Sequence, residues 1–329
     1  MKSIAKIIIG LYLLIGLAPL MGSADVAMSQ MFFLQCLNIL SVTFFLTNNN
    51  LIKILKKSVS NVLVNTLFLF VIWSSFTSIY ALNFSESLRI ISELLVYLSS
   101  ISLIIGLFSL LDNSRKFIFD FFIVLLFIEL SFILFPYLKD LENGMINFGD
   151  RSTNYKGITG NINIAAFSIL LKIPILFFKY CFEKKGKLIY ILLYIISGIV
   201  ILTILQTRAA IITLLLLNII YFLNFLLYSK SEKKLFQKKY LTIGIASFII
   251  LSFNILTIEL FSQSNNAVEK ITSLGNQNDQ SFTERYNFYS HAIKSIIKNP
   301  IFGIGIGNWE LESINYNKEN IKGYVVPYH

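Results

Sequence analysis

Charged residues are scarce in this chain. Only 14% of its 329 residues are Asp, Glu, Lys or Arg, whereas 55% are hydrophobic and the mean hydropathy is +0.70. Soluble globular domains carry about a quarter charged residues. The scarcity argues against an ordinary water-soluble protein and indicates that lipid surrounds most of the chain.

Cysteine and histidine are also nearly absent, with two of each. Cys36 and Cys181 fall at different depths of predicted membrane spans, so we expect no disulfide between them, and their number excludes a cysteine-based metal site. The chain has no P-loop, no dinucleotide-binding fingerprint after a strand, no metal-binding carboxylate cluster and no serine-nucleophile motif. Common nucleotide, metal and serine chemistries therefore lack candidate residues, and we expect no cofactor.

Long apolar runs make up most of the chain. Nine of them are each close to the length of about 20 residues that crosses a bilayer as a helix. They lack the period-2 alternation of outer-membrane barrel strands. We therefore predict an all-α fold, a polytopic transmembrane helix bundle with about nine spans. The predicted spans are residues 4–21, 28–47, 60–82, 89–111, 117–138, 161–180, 187–205, 209–228 and 240–260.

The net charge of +10 is explained by membrane topology and does not indicate a polyanionic partner. With the N-terminus in the cytoplasm, the predicted cytoplasmic segments hold 16 Lys and Arg residues and the short outer loops hold 5. This is the positive-inside bias of membrane proteins. The tail from Phe261 onward has six basic and six acidic residues and lies on the outer face in this topology. We predict membrane lipid as a partner, and no nucleic acid.

The chain divides on this basis into three predicted parts. Residues 1–138 form an N-terminal transmembrane bundle. Residues 139–260 form a membrane core that consists of an outer loop, 139–160, and spans six to nine. Residues 261–329 form a long outer segment.

The outer tail predicts a helix over 282–297, because apolar residues recur every three or four positions on one face. These residues are Phe282, Tyr286, Tyr289, Ile293 and Ile296. Asn299-Pro300 ends the helix, since a residue before proline avoids helical angles. The glycines at 303, 305 and 307 predict a tight, close-packed turn. The apolar face either lies on the membrane surface or covers the outer ends of the spans, and the sequence favours neither.

Arg208 is the strongest single candidate for a functional side chain. It lies in Gln206-Thr207-Arg208-Ala209-Ala210, the whole predicted connection between spans seven and eight. The arginine is either a snorkelling anchor or a guanidinium that grips a phosphate or diphosphate, assisted by the free amides of the next helix. Arg285 begins the tail helix, where residue type alone favours a surface salt bridge, for example with Glu284. A lone terminal histidine such as His329 usually has no function, and His291 is interpreted as a surface or packing residue.

A transporter is the alternative class of function. Ionisable side chains inside predicted spans mark transport pathways in many membrane proteins. The candidates are Glu93, Asp120, Glu129 and Lys172. Asp120 and Lys172 are near helix ends, so the transporter interpretation depends chiefly on Glu93 and Glu129, with Lys172 as a third residue. A third class is a membrane protein without catalysis, such as an assembly partner or a decaying remnant.

Several motifs resemble the O-antigen ligase and O-antigen polymerase superfamily. Arg285-Tyr-Asn-Phe-Tyr-Ser-His-Ala-Ile, Asn299-Pro-Ile-Phe-Gly-Ile-Gly-Ile-Gly-Asn-Trp309 and Pro327-Tyr-His329 resemble its outer loop. Gly160-Asn161-Ile-Asn163 and Thr207-Arg208-Ala209 resemble two upstream patterns. The resemblance covers about residues 140–329, with the motifs in the family's order.

The resemblance implies a type C glycosyltransferase-like enzyme in the bacterial inner membrane, with the outer tail in the periplasm. Such an enzyme moves a glycan from undecaprenyl diphosphate to the lipid A core (a ligase) or to another glycan repeat unit (a polymerase), and protein glycosylation is also open. Carried over by motif, Arg208 and Arg285 hold the diphosphate, and His329 positions or deprotonates the acceptor hydroxyl. No metal is required if the two arginines stabilise the leaving group. In the family the histidine is followed by Asn and further spans, so the resemblance also implies a fragment or a truncated, inactive product.

Overall fold

The computed structural model describes residues 1–16, 26–146, 155–183, 187–228, 238–239, 241–250, 252, 280–309 and 311–312. Helices and short turns make up these residues, with no strand among them, and the all-α prediction is confirmed. The helices are α1 (Lys2–Leu14), α2 (Val26–Leu46), α3 (Asn49–Val59), α4 (Val62–Thr77), α5 (Phe84–Ser109), α6 (Ser114–Glu142), α7 (Ile162–Phe182), α8 (Leu188–Ile199), α9 (Arg208–Tyr228), α10 (Leu241–Ile250) and α11 (Gln280–Lys298).

Six helices in the part of the chain that the structure describes are long and apolar enough to cross a membrane. They are Met28–Leu46, Val62–Tyr80, Phe84–Ser109, Ser114–Glu142, Ile162–Cys181 and Leu188–Leu205. The polytopic helix bundle is therefore confirmed, whereas the number of nine spans stays a prediction. Of the other three predicted spans, 4–21 and 240–260 contain residues outside the described ranges. The third, 209–228, corresponds to α9, of which Arg208–Tyr221 is counted as a shorter apolar helix.

Helix α3 has no counterpart among the predicted spans, because it is short, basic and amphipathic. Asn48 caps it, since its Oδ1 accepts a hydrogen bond of 2.8 Å from the amide of Asn50. Its buried face includes Leu51 and packs against α5, while its lysines remain exposed. Gly106 of α5 makes room for two neighbouring helices, because a Cβ there would lie 2.8 Å from the Phe45 ring of α2 and 3.2 Å from the Ser58 hydroxyl of α3.

The chain forms two compact units. The first consists of residues 1–15, 27–112 and 275–329, and contains α1 to α5 and α11. A buried polar cluster joins three of its helices. Asn38 of α2 accepts hydrogen bonds from Tyr12 of α1 (2.7 Å) and Ser100 of α5 (3.0 Å), and donates one to Ser99 (2.9 Å). Small polar side chains commonly join helices in this way inside membranes.

The second unit consists of residues 16–26 and 113–274, and α7 is its central helix. Helix α7 packs against α6, α8 and α9, and contributes much of one continuous buried apolar cluster. Gly198 of α8 allows α10 to approach closely, because a Cβ at that position would lie 2.7 Å from Ile250. This rigid packing sets the position of the turn between α8 and α9, where Arg208 lies.

Candidate functional site

An unusual turn precedes Arg208. Helix α8 continues as a six-residue π-helix, Val200–Leu205, and Gln206 then adopts a left-handed conformation with φ of +46°. Gln206 is the only non-glycine residue with a positive φ among the described ones. Its amide donates to the Ile201 carbonyl oxygen (2.9 Å), and its side-chain Nε2 donates to that of Thr203 (2.9 Å). Both π-turns and left-handed non-glycine residues are concentrated at functional sites.

Thr207 occupies the capping position of α9, yet its hydroxyl does not cap the helix. Its carbonyl oxygen accepts from the amide of Ile211 (3.0 Å), so the helical ladder begins there. Its Oγ1 is buried and has no hydrogen-bond partner within the described residues. A capping threonine normally accepts a bond from one of the first amides of its helix. The amides of Arg208, Ala209 and Ala210 also lack an acceptor in their own helix.

The start of α9 therefore combines features that suit an anion. Arg208 is half-buried and provides a permanent positive charge with a planar set of donors. The neighbouring Ala209 is exposed, so the first turn of the helix is open on that side. The first amides of the helix, which have no acceptor within it, and the positive end of the helix dipole add to the guanidinium at the same end. A phosphate or diphosphate is the ligand that this chemistry fits best.

The Gly160-Asn161-Ile-Asn163 motif starts α7. Gly160 has φ of +67°, which favours glycine, and Asn161 is the capping residue. The Asn161 Oδ1 accepts hydrogen bonds from the amides of Asn163 (2.9 Å) and Ile164 (3.4 Å). The motif thus fixes where the central helix of the second unit begins.

Just before this motif, the side chain of Tyr155 contacts Asp140 and Tyr137 near the end of α6. The Tyr155 hydroxyl donates to Oδ2 of Asp140 (2.7 Å), and its ring meets that of Tyr137 edge-on at 5.3 Å. Burial, and then the hydrogen bond to the Asp140 carboxylate, raise the pKa of Tyr155 to about 12. The phenol therefore remains a donor at neutral pH and holds the loop against the end of α6.

The Gly-Ile-Gly-Ile-Gly-Asn segment, 303–308, docks on the start of α5. The side chain of Asn308 is completely buried: its Oδ1 accepts from the Asn83 amide (2.8 Å), and its Nδ2 donates to the Ile306 carbonyl oxygen (3.1 Å). The Ser87 hydroxyl donates to that same oxygen at 2.6 Å. The predicted close-packed turn is therefore present, and it is anchored within the first unit.

Glycine is required in this segment for two different reasons, backbone conformation and close packing. All three have positive φ, of +64° at Gly303, +83° at Gly305 and +79° at Gly307. A Cβ at Gly305 would lie 2.8 Å from Asn308 Nδ2 and 2.9 Å from the Thr77 carbonyl oxygen. A Cβ at Gly303 would have nothing within 4 Å. Gly303 is thus required for backbone conformation alone, and Gly305 also for close packing.

We expect Gly305→Ala to release the docked segment, whereas Gly303→Ala should leave it in place. Both substitutions carry the left-handed backbone cost of about 1–2 kcal/mol. Only Gly305→Ala adds a clash with backbone and with the buried Asn308 amide. Amide hydrogen exchange of residues 299–309 measures the difference, with faster exchange expected in Gly305→Ala. Equal exchange in the two variants would show that the close contact does not hold the segment.

Each intramembrane ionisable residue named for the transporter alternative has an ion partner. In the second unit, Lys172 Nζ donates to both Glu129 oxygens (2.9 and 2.8 Å), and the Ser168 hydroxyl donates to Glu129 Oε1 (2.8 Å). Asp120 pairs with Lys179, which also pairs with Glu183. In the first unit, Glu93 pairs with Arg89 on the same helix, next to Glu86. The Lys172–Glu129 and Lys179–Asp120 pairs join α6 to α7. Holding these two helices together is a structural role that explains the charges inside the bundle.

The three predicted site residues are described to different extents. Arg208 is the first residue of α9 in the second unit, as the sequence indicated. Arg285 belongs to α11 in the first unit, and its side chain is outside the described part of the structure. His329 also lies outside the described residues. Convergence of all three on one site therefore stays a prediction. No group of three His, Cys, Asp or Glu residues in the described ranges could hold a metal ion.

Sequence reasoning missed the residues that shape these two regions. Gln206 and Thr207 were seen only as neighbours of Arg208, because neither a π-turn nor an uncapped threonine has a sequence signature. Asn83 was not singled out, and Asn308 was quoted only as one residue of the Asn299–Trp309 motif. Asn83 precedes a helix and Asn308 follows a glycine run, which are ordinary positions for asparagine.

The comparisons with known proteins address the C-terminal part of the chain. The family model described as O-antigen ligase matches residues 192–329. The match begins in α8 and includes Arg208, α11, the docked segment and His329. No curated protein and no solved structure gives a significant match.

Proposed function

We propose that this chain, whose residues 192–329 are similar to the O-antigen ligase family, transfers a glycan from undecaprenyl diphosphate to an acceptor hydroxyl. The family indicates a membrane glycosyltransferase or ligase type of enzyme with lipid-linked glycan substrates. The observation that carries the finer proposal is the start of α9. The diphosphate of such a donor suits the groups found there. These are the Arg208 guanidinium, the first amides of the helix and the Thr207 hydroxyl, which makes no capping hydrogen bond.

The proposed reaction exchanges one bond to the anomeric carbon of the glycan for another. The acceptor hydroxyl oxygen attacks that carbon, and the bond from the carbon to the diphosphate oxygen breaks. Negative charge accumulates on the departing undecaprenyl diphosphate, where Arg208 and Arg285 stabilise it. His329 takes the proton of the acceptor hydroxyl. Every proton and charge is thereby assigned to a residue of this chain.

The proposed setting is the bacterial inner membrane with the N-terminus in the cytoplasm. The excess of Lys and Arg in alternate loops supports this orientation. It directs the start of α9 and the tail beyond residue 261 to the periplasmic face, where the lipid-linked donor is available. The predicted membrane core, 139–260, and the predicted periplasmic tail, 261–329, would each supply one arginine.

The decisive test is reconstitution of the full chain in lipid nanodiscs with an undecaprenyl diphosphate-linked oligosaccharide. We expect free undecaprenyl diphosphate to appear in mass spectra only when an acceptor is present. Lipid A core, a second lipid-linked repeat unit and a serine-containing peptide, supplied separately, distinguish ligase, polymerase and protein glycosylation. A folded, reconstituted chain that leaves the donor intact with all three acceptors would contradict the proposal.

A further inference from the structure

Helix α11 carries its large apolar side chains on its exposed side. Five such residues lie between positions 286 and 297. Because successive residues of an α-helix are rotated by about 100° around its axis, these five fall within an arc of about 100°. We call this arc the α11 stripe. Its members and their exposed fractions are Tyr286 (66%), Tyr289 (71%), Ile293 (56%), Ile296 (61%) and Ile297 (73%).

The opposite side of α11 is polar and buried. His291 and Ser295 are only 8% and 5% exposed, and both make contacts. Burial, and then the charge of Lys294, lower the pKa of His291, so its imidazole is neutral at pH 7. A helix in water buries its apolar face and exposes its polar face. The arrangement in α11 is the reverse within the described residues, and it favours the alternative in which the apolar face lies on the membrane surface.

Shortly after the stripe, the chain reaches an aromatic cluster at the end of a membrane span. Beyond α11, Phe302 stacks on Trp73 with ring centroids 5.6 Å apart and an angle of 9° between the rings. It also lies 5.6 Å from the ring of Tyr80. Trp73 and Tyr80 belong to the C-terminal part of the span Val62–Tyr80 and remain exposed. Trp and Tyr are enriched where spans leave the hydrocarbon for the headgroup region.

We propose that the α11 stripe is a membrane-anchoring surface whose partner is the interfacial region of the bilayer that α4 crosses. Phe302, five residues after the end of the stripe, packs on Trp73 and Tyr80 at the exposed surface of that span and so holds the end of α11 beside it. Lys294 and Lys298 are exposed beside the stripe and meet the phosphates of the lipid headgroups. The anchor does not depend on the proposed transfer reaction. For that reaction, it would keep residue 285 at the level of lipid phosphates.

Spin labels placed around α11 test the anchor in the full chain. Single cysteines replace stripe residues (Tyr289→Cys, Ile293→Cys, Ile297→Cys) in a Cys36→Ala, Cys181→Ala background. Matched controls on the same helix are Lys294→Cys and Lys298→Cys. Each labelled protein is reconstituted in phosphatidylcholine–phosphatidylglycerol vesicles, and its collision rates with oxygen and with a water-soluble nickel chelate are measured. Ile296→Cys repeats the stripe measurement should one stripe variant fail to fold.

The stripe labels should collide with the nickel chelate at least about threefold less often than the lysine-site labels, with oxygen accessibility changing in the opposite sense. Accessibility should follow the helical period along 289–298. Equal chelate access at stripe and lysine sites would overturn the anchor. Dipolar broadening between stripe labels that grows with protein density would overturn it too, because it would identify a second copy of the chain as the occupant.

Discussion

Replacing Arg208 by alanine is expected to slow glycan transfer by about a hundredfold or more while the chain remains folded in the membrane. Removal of one preorganised donor to a developing negative charge typically has an effect of about 10²–10³ on the rate of the chemical step. Arg208 provides a permanent positive charge at the start of α9, beside amides that have no acceptor in their own helix. The rate of undecaprenyl diphosphate release by nanodisc-reconstituted protein measures the effect.

Two further variants separate charge from geometry. Arg208→Lys keeps the charge and loses the planar fork, so we expect a rate between those of wild type and Arg208→Ala. Arg89→Ala is the matched control, because Arg89 pairs with Glu86 and Glu93 on its own helix. It should transfer glycan at close to the wild-type rate. A wild-type rate in Arg208→Ala would show that this turn does not hold the diphosphate.

Breaking the Glu129–Lys172 pair is expected to destabilise the second unit by about 3–5 kcal/mol, because either single substitution leaves an uncompensated charge between packed helices. The two side chains are only 16% and 8% exposed, and their partner Ser168 lies one turn before Lys172 on α7. Lys172→Met and Glu129→Gln are the single changes. Their thermal unfolding in mild detergent should fall well below that of the wild-type chain.

The double variant Glu129→Gln, Lys172→Met should recover most of this loss, since it removes both charges together. It also separates enzyme from transporter. A transferase with both substitutions should retain its activity, because neither residue belongs to the proposed site. If the double variant is stable but the chain loses a measurable solute flux, the buried pair serves transport and the transferase proposal is wrong.

The sequence predicted the membrane helices well because hydropathy is a local property. The spans predicted at 60–82, 89–111 and 161–180 correspond to α4, α5 and α7 within a few residues at each end. The short basic helix α3 was missed, because eleven residues with three lysines resemble a cytoplasmic connection. Its helical form depends on packing against α5, which a local pattern does not contain.

The candidate site was only partly predictable. Arg208 was correctly placed at the start of a helix, because Gln-Thr-Arg interrupts an apolar run. The left-handed conformation of Gln206 and the missing capping bond of Thr207 depend on the π-turn before them. No residue type in the sequence predicts a π-turn. Glu129 was recognised as a buried ionisable residue, whereas the placement of Lys172 near a helix end was wrong, because it lies buried in the middle of α7. Their pairing across 43 positions follows from how α6 packs on α7, not from either sequence segment.

The contact between Asn308 and Asn83 spans 225 positions of the chain, and this has a consequence for biosynthesis. The ribosome synthesises α5 long before it reaches Asn308. The side chain of Asn308 accepts the hydrogen bond from the amide of Asn83, the residue that precedes α5. The first unit is thus completed last, whereas the second unit is continuous over 113–274 and has all of its residues earlier. This hydrogen bond of the first unit can therefore form only after every residue of the second unit has been synthesised.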